Sequence, residues 1–154
     1  MGYADRSEDE ILAGELAALG AASGGSGRLV RVVAGLLGKD VHEVELLVPL
    51  PFDAAVQHVS RVLGRAGRAC AAPPAGSGGY AETIRVVARG GALGMNPVVV
   101  TARVSKGGEH SSEVRLRAAA KEGLIRQRAG EKTAARLAAL LGGETGRTGG
   151  GADR

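Results

Sequence analysis

The sequence is poor in aromatic residues and in cysteine. Its three aromatic side chains are Tyr3, Phe52 and Tyr80, and it has no tryptophan. A hydrophobic core must therefore be aliphatic, and a sheet that stacks nucleic-acid bases on aromatic rings is disfavoured. Cys70 is the only cysteine, which excludes a disulfide within this sequence and a zinc site built from several cysteines.

Long apolar runs are absent as well. The longest, from Leu29 to Leu37, is broken by Arg31 and is far shorter than the ~20 residues that a membrane-spanning helix needs. The first residues include several acidic side chains, unlike the basic start of a signal peptide. We therefore expect no membrane span and a cytoplasmic location.

Recognisable catalytic motifs are also missing. The serines lack a Gly-x-Ser-x-Gly elbow, and His42, His58 and His110 lack the spacing of metal ligands. Arg65 and Arg68 precede Cys70, an arrangement that favours a thiolate, although an unreactive thiol in a loop is the simpler interpretation. We predict no enzymatic activity, no cofactor and no metal.

What the sequence does contain is a series of amphipathic segments. Residues 7–10 have the pattern of a capping box ahead of a short helix. From Val41 onward, apolar residues alternate with polar ones in four segments and recur at helical spacing in two. The predicted strands are 42–48, 81–89, 97–105 and 112–119, and the predicted helices are 53–63 and 125–141.

These segments suggest three regions and one fold. The regions are an N-terminal helical extension with a Gly/Ser linker (1–40), an α+β domain (41–142) and a disordered tail (143–154), with Gly142 and Gly143 ending the last helix. Each strand has one apolar face and each helix one apolar stripe. The expected fold is a two-layer α+β sandwich, β-α-β-β-β-α, with a four-stranded antiparallel sheet and the C-terminal helix packed on one face.

Two segments resemble a known family. The stretch 120–128, which leads into the Ala/Leu-rich last helix, and the stretch 51–56, which opens the first helix of the domain, resemble the small START-like, helix-grip domains across residues 41–141. The resemblance implies a groove between sheet and C-terminal helix that holds an apolar ligand. A half of the TATA-binding-protein fold has a similar element order and is the alternative architecture.

This resemblance leads to a first functional hypothesis, a non-enzymatic module that holds an apolar small molecule or a partner segment. The candidate ligand contacts face the groove or lie in the connection between two strands. They are Ile84, Val100, Leu116 and Leu137, together with Leu93 and Met95. Aliphatic contacts of this kind give a plastic groove with few polar anchors.

A second hypothesis rests on the opposite face of the sheet. Four arginines alternate with the apolar residues of the strands there: Arg85, Arg103, Arg115 and Arg117. The net charge of +4 and the geometry of guanidinium groups favour an anionic partner, either nucleic acid or an acidic protein. Cross-strand ion pairs with glutamates such as Glu45 and Glu113 are the alternative interpretation. We expect nucleic-acid binding to be weak and non-specific at most.

Overall fold

The computed structural model describes residues 3–22, 38–70, 72, 81–90, 96–122 and 128–146. Its helices are α1 (Tyr3–Ala22), α2 (Phe52–Ala66) and α3 (Ala129–Gly146). Its strands are β1 (Gly38–Val48), β2 (Gly67–Ala69), β3 (Ala81–Gly90), β4 (Asn96–Lys106) and β5 (Ser112–Glu122). None of these described helices is long and apolar enough to cross a membrane.

The described strands form one antiparallel sheet in the order β1-β5-β4-β3-β2. One row of directly paired apolar residues crosses four strands, namely Val44, Leu116, Ala102 and Ile84. Successive side chains along a strand point to opposite faces of the sheet. The alternation of apolar and polar residues in the sequence therefore sets the register between the strands. The predicted α+β class is confirmed. The prediction of four strands is corrected to five, because the three residues of β2 pair with β3 and are too few to show an alternation.

Helices α2 and α3 cover the inner face of the sheet, which is the face that carries this apolar row. Val59 and Leu63 of α2 are fully buried there, as are Leu137 and Leu141 of α3. The fully buried side chains of this core are aliphatic, and the aromatic Phe52 packs against them while partly buried.

The start of α3 is tied to the first strand. The amide of Gly130 donates a hydrogen bond of 3.1 Å to Oδ2 of Asp40, which satisfies an amide that the first turn leaves without a helical partner. The predicted start at residue 125 lies outside the described residues. The predicted end at Gly142 and Gly143 is wrong, because Gly142 lacks the left-handed backbone that ends a helix and α3 continues to Gly146.

Helix α1 packs on the outer face of the sheet. Leu12 is fully buried there in a small cluster with Val87, Val99 and Ala119. The predicted capping box at residues 7–10 is wrong, because α1 begins at Tyr3. Glu8 therefore lies inside the helix, one turn before Leu12, and shares its sheet-facing side.

Buried ion pairs fasten α1 to the sheet. The side chain of Glu8 has no exposed surface, and its carboxylate accepts a hydrogen bond of 2.9 Å from Nε of Arg117. Nζ of Lys39 lies 3.1 Å from Glu8 and 3.3 Å from Asp9. Burial alone would lower the pKa of Lys39, but the hydrogen bonds and charges of these two carboxylates outweigh it and raise that pKa above its ordinary value.

The close approach of β2 to β3 requires a glycine. A Cβ atom at Gly67 would overlap the backbone carbonyl of Val87. Because β2 is paired with β3, it cannot move away from this carbonyl. We expect Gly67→Ala to lower the free energy of unfolding by about 1–3 kcal/mol, the usual cost of overpacking, as measured by urea denaturation. The matched control is Gly64→Ala on α2, where a Cβ meets nothing within 4 Å and helix propensity makes the change neutral or stabilising. Equal stability of the two variants would contradict this account of Gly67.

Candidate functional site

A cavity of about 660 Å³ lies at one corner of the fold, where β3 ends and β4 begins beside the short strand β2. We call it the corner cavity. All three helices and three of the strands contribute to its wall. Its volume falls within the ~300–1,000 Å³ that is usual for small-molecule sites.

Apolar side chains form one part of the wall of the corner cavity. They are Leu19, Val62, Ala66, Val87, Pro97, Leu137 and Leu140. Leu137 is fully buried, whereas Leu140, three residues further along α3, is 44% exposed. An exposed leucine at the mouth of a cavity leaves apolar surface for a ligand to cover.

Charged side chains form the other part of the wall, and guanidinium groups dominate it. Four arginines lie there, each from a different element: Arg65 of α2, Arg68 of β2, Arg89 of β3 and Arg136 of α3. The single carboxylate in the wall belongs to Glu15 of α1, which forms an ion pair with Arg68. The wall of the corner cavity thus combines apolar and basic residues.

The local fold explains how these arginines meet. Helix α2 buries one side against the sheet through Val59, Val62 and Leu63, and its last turn runs directly into β2 at Gly67. Arg65 and Arg68 therefore stand on either side of this junction. The pairing of β2 with β3 then brings Gly67 opposite Ala88, next to Arg89.

Of the predicted apolar contacts, one lies in the corner cavity. Leu137 lines it, while Val100 and Leu116 are fully buried in the core and Ile84 is half-buried beside them. Leu93 and Met95 lie outside the described residues. The roles of these residues as ligand contacts stay predictions.

The four arginines of the outer face do not lie together in solvent, and this part of the expectation is wrong. Arg85 is 2% exposed, and its Nε donates a hydrogen bond of 2.8 Å to Oγ1 of Thr101. Arg117 lies partly beneath α1, where it contacts Glu8, and its Nη1 also donates to Glu43 at 2.9 Å. For Arg117 the cause is α1, which covers part of this face and brings the carboxylate of Glu8.

Arg103 and Arg115 remain exposed on the uncovered part of the outer face, where they are direct cross-strand partners. A second cavity of about 550 Å³ lies beside them. Nη2 of Arg115 donates to Glu45 at 2.6 Å, and Glu113 also lines this cavity. The ion-pair interpretation of this face therefore holds for Arg115 and Arg117, and it leaves little unbalanced positive charge.

The titratable groups near the sheet edge give no sign of an activated nucleophile. Burial raises the pKa of the Cys70 thiol, and the charges of Arg85 and Arg68 offset this only in part, so the thiolate is not favoured. His58 is buried and hydrogen-bonds through Nε2 to the carbonyl of Leu141, 3.2 Å away, which ties α2 to α3. Among the described residues, no three histidine, cysteine or acidic side chains converge on a point that could hold a metal ion.

Comparisons with known proteins give distant likenesses only. No family model and no curated protein matches the sequence. The crystal structure of Zhui aromatase/cyclase from Streptomyces sp. R1128 is 13% identical, with a TM-score of 0.40 over 75% of this chain and 100% of that chain. Ara h 8.0201 is 10% identical, with a TM-score of 0.38 over 71% and 97% of the two chains. These likenesses are distant and assign no family.

One sequence-based prediction is overturned by this comparison. We predicted that the chain is not an enzyme, yet the first of these two structures is, by its description, an aromatase/cyclase. The likeness itself assigns no reaction to this chain.

Proposed function

We propose that the chain binds an apolar small molecule in the corner cavity, between the end of the sheet and helix α3. The observation that carries the proposal is a cavity of about 660 Å³ lined by seven apolar side chains, among them the half-exposed Leu140. A ligand that covers this wall gains roughly 25 cal/mol for each Å² of apolar surface removed from water. The rest of the inner face is filled by the protein's own side chains, so the ligand lies at the corner rather than under the middle of α3.

The proposal is tested by titrating the protein with Nile red, an uncharged dye whose fluorescence rises in apolar surroundings. We expect saturable binding to the wild-type protein and an affinity about tenfold lower for Leu140→Gln, because part of a leucine's transfer free energy is lost. The substitution is at an exposed position and should leave the fold unchanged.

The matched control is Leu47→Gln. Leu47 is 70% exposed on β1 and lines the second cavity rather than the corner cavity. The Leu47→Gln variant should bind Nile red with the same affinity as the wild-type protein. Equal loss in both variants, or no saturable binding to the wild type, would refute the corner cavity as the site.

A further inference from the structure

We infer that the ligand of the corner cavity is an amphipathic anion, an alkyl chain that ends in a carboxylate or phosphate group. This inference rests on the proposed function and adds the chemical class of the ligand. It follows from the composition of the wall, which contains seven apolar side chains and four arginines. An uncharged ligand would complement only the first of these.

Two arginines of the wall, Arg89 and Arg136, have no counter-charge among the described residues. Glu15 is the one carboxylate in the wall, and it is taken up by Arg68. Within the part of the chain that the structure describes, the side chains of Arg89 and Arg136 form no hydrogen bond or ion pair. Converging cations that lack a counter-charge raise the local potential, and an anionic group placed between them relieves it.

The geometry of guanidinium groups favours an oxygen-bearing anion over a halide or an uncharged polar group. A planar guanidinium donates two parallel hydrogen bonds to a carboxylate or a phosphate, and such charge-assisted bonds are about twice as strong as neutral ones. Arg89 lies at the end of β3 and Arg136 on α3, next to Leu137. An anionic head that contacts these arginines would leave its alkyl chain against the exposed Leu140.

The experiment compares three probes that share one alkyl chain: decanoate, decyl phosphate and decanol. Isothermal titration at low salt should give an affinity for each anion at least about tenfold higher than for decanol, the size of one charge-assisted hydrogen bond. The preference should shrink as salt is added, because exposed charges are screened. In the double variant Arg89→Gln/Arg136→Gln, the affinity for the anions should fall to that for decanol, while decanol itself binds as before.

Arg103→Gln is the matched control, since Arg103 is an exposed arginine outside the corner cavity. It should keep the full preference for the anions. Equal binding of all three probes to the wild type overturns the inference about the head group and leaves the proposed function intact. Binding of none of them overturns both, and a preference that survives in the double variant overturns the assignment of the anionic head to Arg89 and Arg136.

Discussion

Replacing Glu8 with alanine should release helix α1 from the sheet. The carboxylate of Glu8 is fully buried between Arg117 and Lys39, and its removal leaves both cations in a poorly solvated place. Breaking a buried ion pair in this way costs about 3–5 kcal/mol. We expect the lower end of this range, because Glu43 and Asp9 still pair with these two cations.

The loss should appear first in α1 rather than in the whole fold. Hydrogen exchange should show that the amides of α1 lose protection while those of β4 and β5 keep theirs, since weakly packed elements open locally. The control is Glu10→Ala, an exposed glutamate of the same helix, which should change protection very little. If the amides of α1 are equally protected from exchange in the two variants, the buried ion pairs do not hold this helix on the sheet.

The strands could be predicted from the sequence because their signal is local. Alternation with a period of two is visible in β3, β4 and β5 without knowledge of any other segment, and the observed strands begin and end within a few residues of the predicted ones. Strand β2 has no such pattern in its three residues. It forms because α2 ends beside β3 and Gly67 permits the close approach.

The role of α1 could be predicted less well, although a signal was present. Glu8, Leu12, Glu15 and Leu19 recur at helical spacing, so two carboxylates share the apolar side of the helix. Acidic residues on the buried side of a helix require basic partners. Arg117 of the sheet pairs with Glu8, and Arg68 of the edge strand β2 pairs with Glu15. The capping-box pattern of residues 7–10 instead favours a role for Glu10, which is exposed in the structure.

The corner cavity could not be predicted, because its arginines are scattered along the chain. Arg65 and Arg68 lie just before Cys70 in the sequence, and Arg89 and Arg136 stand singly in a strand and a helix. Nothing local distinguishes them from solvated surface residues. Only the packing of α2, α3 and the end of the sheet brings them around one space, and this packing depends on tertiary contacts.

Leu137→Ala should be among the most damaging substitutions in the core. Leu137 is fully buried at the place where α3 meets the sheet and also forms part of the wall of the corner cavity. Truncation removes its transfer free energy and leaves a gap that the neighbouring valines and alanines are too small and stiff to fill. We expect the free energy of unfolding to fall by about 2–5 kcal/mol.

Urea denaturation should show a lower midpoint with an unchanged slope, which is the signature of reduced stability without a change in the surface exposed on unfolding. The control is Leu140→Ala, three residues along the same helix and 44% exposed, for which a loss below about 1 kcal/mol is expected. A difference between the two variants would place α3 in the core through Leu137, so that the helix both stabilises the sheet and shapes the corner cavity. Losses of similar size would mean that α3 is only loosely attached, and the corner cavity would then lack a fixed wall.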